Sequence, residues 1–188
     1  MIRRVGRAFG SLLAGMVVLS GCSDSNDSVP SLPKSMCWGA FTGASVAPLL
    51  PHGSKAELSK DRPFDVFGAR GSTYCSLFID GDARFIAFAE RRRTGKGTEW
   101  NGWARSRGTR IDAGDEAFVW DGGAGSVFLC ERPDLPRSDA LPKSAKYVEL
   151  TLTANRAPET PESRKTLTAL MQRYVDFAKR ELKCAGGA

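Results

Sequence analysis

The clearest pattern of apolar and polar positions lies at the end of the chain. Leu167, Leu170, Met171, Tyr174, Phe177, Ala178 and Leu182 recur at helical spacing, with Arg164, Lys165, Arg173, Lys179 and Arg180 on the remainder. Thr160-Pro161-Glu162 supplies a cap, a proline at the first helical position and an acid at the positive helix end. Gly186-Gly187 marks the stop. Before this helix the period shortens to two. Val148, Leu150 and Leu152 alternate with Glu149, Thr151 and Thr153, as in a strand with one wet face. Residues 74–80 place Cys75, Leu77 and Ile79 on one side, residues 84–90 alternate as well, and Asp80-Gly81-Asp82 joins the two as a hairpin. Residues 116–120 and 126–131 read as a second hairpin turning through 121–125. Thr42 caps a short helix carrying Val46, Leu49 and Leu50; Pro48 removes a donor there, so the helix is short or kinked.

These elements predict one α+β domain over residues 36–184: an antiparallel sheet packed by a short N-terminal helix and a long C-terminal amphipathic helix. The stretches between them read as loops. Residues 51–71 hold Gly, Pro and charge around Phe64-Asp65-Val66-Phe67, residues 91–110 are polar and basic, and residues 133–142 contain prolines. The last helix would also suit a membrane interface, but a sheet with one apolar face is its commoner partner.

The opening of the chain gives an address. Arg3, Arg4 and Arg7 precede an apolar run over 8–19, which ends in Leu19-Ser20-Gly21-Cys22. A spanning helix needs about 20 apolar residues, and this run is shorter. It reads as a signal peptide over 1–21. Leu-Ser-Gly-Cys resembles the bacterial lipobox, which implies acylation of Cys22 and cleavage before it. Residues 22–35, rich in Ser, Asp and Pro, then read as the lipidated cysteine and a flexible linker, and residues 185–188 as a disordered tail. The expected location is the outer face of the cytoplasmic membrane. The Arg3-Arg4 pair leaves the export route open between the general secretory and twin-arginine systems.

Charge adds little beyond this. The chain has 27 Lys+Arg against 21 Asp+Glu, a net +6. Three arginines leave with the signal, so the mature charge falls to +3, and export argues against nucleic acid as a partner. Cysteines say more. With Cys22 assigned to lipid, Cys37, Cys75, Cys130 and Cys184 form an even set, which in an exported chain reads as disulfides. Three connectivities are possible. Cys37 and Cys184 bracket the domain while Cys75 and Cys130 fall in strand-like runs, so Cys37–Cys184 with Cys75–Cys130 is the favoured pairing. No Cys-x-x-Cys spacing occurs and His52 is the sole histidine, so neither a metal nor another cofactor is expected.

Catalysis is hard to assemble. His52 lies in a Pro-His-Gly loop, and no Gly-x-Ser-x-Gly elbow appears. Acid pairs exist at Asp112, Asp115, Glu116 and Asp121 and would serve a hydrolase, but acids around turns are ordinary. The better candidate is a binding surface over 91–110. Arg91, Arg92, Arg93, Lys96, Arg105, Arg107 and Arg110 face only Glu99 as opposing charge, with Trp100 and Trp103 interleaved. Arginine forks suit phosphates, and indoles suit an interface. The competing reading is a solvated hairpin whose tryptophans fold back onto the core. The expected role is therefore a monomeric, non-catalytic envelope module for a protein or an anionic wall or lipid component, with an acid-dependent hydrolase as the alternative.

Several short motifs resemble a family of exported actinobacterial lipoproteins of unknown function. They are Cys37 opening a short first helix, Tyr74-Cys75-Ser76-Leu77 beginning a central strand, Gly114-Asp115-Glu116-Ala117-Phe118, and the closing amphipathic helix. The resemblance implies a PsbP-like α+β sandwich, and it brings no catalytic residues. Pro48 departs from the family's pattern.

Overall fold

The computed structural model describes residues 28–59, 62–93, 95, 99–132 and 146–185, with the backbone alone for 99–101. Strands β1 (Ala56–Leu58), β2 (Ser72–Ile79), β3 (Asp82–Arg92), β4 (Thr109–Arg110), β5 (Glu116–Trp120), β6 (Gly123–Leu129) and β7 (Tyr147–Ala154) form one sheet. Their order is β1-β2-β3-β7-β6-β5-β4, and every neighbouring pair is antiparallel. Helices are α1 (Gly43–Val46), α2 (Glu99–Arg107) and α3 (Pro161–Glu181).

Alternation sorts side chains onto two faces. Cys75, Ala87, Leu152 and Ala124 lie opposite one another across β2, β3, β7 and β6, and Ala89, Leu150, Ser126 and Ala117 form the next row. All are buried. On this face sits α3, burying Leu167, Leu170, Met171, Tyr174, Val175, Phe177 and Ala178 against β5, β6 and β7. Its start is as expected: the Thr160 hydroxyl accepts from the Ser163 N–H and Pro161 opens the helix. The N-terminal segment closes the other half of the core. Thr42 and Ser45 form a reciprocal capping box, and α1 lasts one turn before Pro48 enters a tighter turn over Ala47–Leu49. Trp38, Phe41 and Phe64 surround Tyr174, with the Trp38 ring nearly parallel to it at 6.4 Å.

Several expectations change. Residues 28–35, expected within the linker, dock on the domain. The Ser28 carbonyl accepts from Gly53 N–H at 3.1 Å, the Pro33 carbonyl accepts from Gly43 N–H at 3.1 Å, and Val29 and Leu32 pack on the core. The second hairpin is tighter than expected, turning through Asp121-Gly122, and β6 begins at Gly123, where a Cβ would strike the Trp120 ring. The first hairpin turns through Asp80-Gly81, both left-handed (φ 51° and 86°), as a two-residue turn requires.

The favoured disulfide pairing is overturned. The bonds are Cys37–Cys75, with Cα atoms 5.4 Å apart, and Cys130–Cys184, with Cα atoms 4.7 Å apart. The reason is strand order. Cys75 on β2 is separated from the end of β6 by β3 and β7, three strand spacings or about 14 Å, and a disulfide needs Cα atoms within about 7 Å. Cys37 instead pins the N-terminal turn to β2, and Cys184 ties the end of α3 to the chain leaving β6. The expected signal peptide over 1–21, Cys22, the 133–142 stretch and residues 186–188 lie outside the described residues. Among those described, no helix is long and apolar enough to cross a membrane.

Candidate functional site

The basic segment over 91–110 is not one loop. Its first two arginines end β3, where Arg91 pairs with Val148 and Arg92 with Tyr147, so they point to opposite faces. Arg92 meets Glu90 at 2.9 Å and Glu149 at 3.4 Å. Glu149 is only 3% exposed, so this pair is part of the sheet's polar margin. Arg91 turns to the α3 side and stacks over Phe67, 5.8 Å from the ring centre. Burial pulls its guanidinium below the ordinary arginine range, while Asp65 opposes that shift; an arginine in a protein remains charged.

The rest of the segment is a helix. In α2, Ala104 packs on Phe118, Trp103 meets Trp120 edge-on at 4.8 Å, and Arg105 pairs with Glu116 at 2.6 Å. The fold-back of tryptophan is therefore realised on a helix, yet Trp103 stays 42% exposed. Arg93, Arg107 and Arg110 are exposed. Lys96 and the Trp100 side chain lie outside the described residues. The expectation that Glu99 alone opposes these cations is corrected: Glu90, two residues from Arg92 on the same strand, Glu116, 11 residues beyond Arg105, and the distant Glu149 on β7 are their partners.

The acids singled out for hydrolysis do not share a site. One Asp115 carboxylate oxygen accepts from Leu129 N–H, and Glu116 holds Arg105. Asp121 takes both Nε and Nη2 of Arg164 at 2.7 Å, which holds its carboxyl below the usual range. Asp112 is exposed and its backbone carbonyl accepts from Gln172. His52 is exposed in its loop. Among the described residues, no three His, Cys, Asp or Glu side chains gather as metal ligands.

A concave feature instead lies in the stretch over 62–73, which the sequence reading passed over as loop. A groove of about 460 Å³ runs between residues 62–70 and the first residues of β2, lined by Arg62, Asp65, Gly68, Arg70, Ser72 and Thr73 among others. Its walls are fixed from outside. The Trp38 indole N–H donates to the Arg62 carbonyl at 2.5 Å, and the Thr73 hydroxyl donates to the Pro63 carbonyl at 3.3 Å. Asp65 Oδ1 accepts the N–H groups of Phe67 and Gly68 at 2.8 and 3.0 Å, folding the loop over its own carboxylate. Gly71 turns into β2 with φ 68°, and its carbonyl accepts from Arg91 N–H at 2.8 Å. The one sequence signal was the bracketing of Phe64-Asp65-Val66-Phe67 by Arg62 and Arg70. No protein-family model, curated protein or solved structure matches the chain.

Proposed function

We propose that this protein is a lipid-anchored envelope module, acylated at Cys22 on the outer face of the cytoplasmic membrane, whose monomeric PsbP-like domain binds an anionic envelope component without catalysing a reaction. The observation that carries the reading is Leu19-Ser20-Gly21-Cys22, set directly after a basic and then apolar opening. Two disulfides in the folded part agree with export into an oxidising compartment. Anchoring follows from physical chemistry: each buried CH₂ contributes about 0.8 kcal/mol, and two chains hold stably where one does not. Cations without carboxylate partners provide the affinity for an anion. Mass spectrometry of the membrane fraction tests the anchor. The expected species is a mature chain beginning at an acylated Cys22; a soluble chain beginning elsewhere ends the proposal.

A further inference from the structure

The strand β1 closes one edge of the sheet, and its outer side is open. Ala56 lies opposite Ile79, Glu57 opposite Phe78 and Leu58 opposite Leu77. The Lys55 carbonyl accepts from Asp80 N–H at 2.9 Å, and Ser59 N–H donates to the Ser76 carbonyl at 2.8 Å. Backbone groups of alternate residues turn to alternate sides of an antiparallel strand, so Lys55, Glu57 and Ser59 bond inward to β2. Ala56 and Leu58 turn their N–H and C=O outward, where they meet no hydrogen-bond partner among the described residues. A hollow of about 590 Å³, lined by Glu57, Leu58, Phe78 and Gly81, lies beside this edge. The side chains of Lys55 and Glu57 share one face of the strand, 69% and 55% exposed, and meet at 2.6 Å.

We infer that β1 pairs with the β1 of a second copy of this chain, antiparallel about a two-fold axis at Ala56. Edge and charge together select this register. Only outward residues can bond across the edge, so the strand can shift in steps of two positions. With the axis at Ala56, Lys55 stands opposite the partner's Glu57 and Glu57 opposite the partner's Lys55. Both fall at non-hydrogen-bonded positions, where facing side chains lie closest, and opposite charges there are favourable. Moving the axis to Lys55 opposes two lysines, and moving it to Glu57 opposes two glutamates, each destabilising. Larger shifts leave neither charge facing the other. The two Ala56 residues then exchange a reciprocal pair of main-chain hydrogen bonds, and Leu58 N–H reaches the carbonyl of the partner's Ser54. Asp80 already holds the Ser54 N–H, so the ladder ends there.

A lysine on a short edge strand ordinarily keeps chains apart; the glutamate two residues on turns that charge into half of a complementary pair. The core of each domain is complete without a second chain, and a strand of three residues buries far less than the roughly 1,200 Å² of a stable complex. The association therefore joins finished monomers, is weak and concentration-dependent, and requires neither the anchor nor an anionic ligand.

The test is sedimentation equilibrium of the full chain in density-matched detergent, with micelles in excess, from micromolar to millimolar protein. The parent should pass from monomer to dimer, and added salt should weaken the dimer because both facing pairs are exposed. Lys55→Glu alone and Glu57→Lys alone each oppose like charges and should weaken self-association about tenfold or more. Mixing these two variants should restore association as a heterodimer, since every facing pair is then of opposite sign. The combined Lys55→Glu, Glu57→Lys chain should restore the homodimer. Ala56→Pro removes an outward N–H that β2 does not use and should abolish pairing. Circular dichroism and intact disulfides control for folding; if the proline variant unfolds, the charge variants, which alter exposed side chains alone, carry the result. A parent that stays monomeric throughout, single variants that associate like the parent, or a mixture that associates no better than either variant alone would each overturn the inference.

Discussion

Tyr174 gives the most direct test of how the core is balanced. Its ring is fully buried among Trp38, Phe41 and Phe64, and its hydroxyl has no hydrogen-bond partner among the described residues. A buried, unmatched hydroxyl costs about 1–3 kcal/mol of lost hydration. Tyr174→Phe removes that cost and leaves a gap of a single oxygen, so the ring contacts stay. The variant should be more stable than the parent by about 0.5–2 kcal/mol in urea unfolding at pH 7, with an unchanged m-value. Alkaline pH supplies a second reading. Burial raises the Tyr174 hydroxyl well above the ordinary tyrosine range, so the unfolded chain releases that proton first. Stability contributed by the group is complete below about pH 10 and falls as pH rises beyond it, by about 1.4 kcal/mol per unit. Tyr174→Phe should therefore widen its advantage over the parent between pH 10 and pH 11. A loss of more than about 1 kcal/mol at pH 7, or parallel profiles above pH 10, would mean that the hydroxyl is bonded in solution and the reasoning fails.

Other consequences are as direct. Digestion without reductant should yield two linked peptide pairs, Cys37 with Cys75 and Cys130 with Cys184; a Cys75–Cys130 peptide would contradict the strand order. Replacing Cys130 and Cys184 together by Ser should cost about 4 kcal/mol in the chain-entropy model, given their separation of 54 residues, measured by thermal or urea unfolding. Thr160→Ala should cost about 1 kcal/mol through loss of the α3 cap, and Thr160→Ser should restore it. Asp80 accepts from Ser54 and Lys55, bonds that lower its carboxyl below the usual range. The stability it lends is present above about pH 4 and lost as pH falls below that. Asp80→Asn keeps a residue tolerant of the left-handed turn and should flatten the acid limb of a pH–stability curve; an unaltered limb would refute the assignment.

What the chain order disclosed, and what it hid, follows the range of the forces involved. The Thr160 cap, the Asp80-Gly81 turn and the alternation at Val148, Leu150 and Leu152 are set by neighbours within a few residues, and each stands where local chemistry puts it. Arg91 and Arg92 were harder, because two charges at the end of an apolar alternation look like the beginning of a loop. Pairing with Val148 and Tyr147 extends the strand and sends the two guanidiniums to different faces. The cysteine pairing depends on β7 inserting between β3 and β6, a long-range choice with no local signature. The groove was hidden for the same reason.

Arg62 and Arg70 lie in a Gly- and Pro-containing stretch without periodicity, and only the meeting of that stretch with β2 makes the concavity that both of them line. Electrostatics sharpens the contrast. The arginines most conspicuous in sequence, Arg92 and Arg105, are paired with Glu90 on the same strand and with Glu149 and Glu116 from other strands, while Arg62 and Arg70 line the groove with Asp65. Density of arginine along the chain is thus a poor guide to which cations folding leaves unpaired. The informative quantity is the charge left over after folding has made its own pairs, and that is set by strand pairing rather than by runs of like residues.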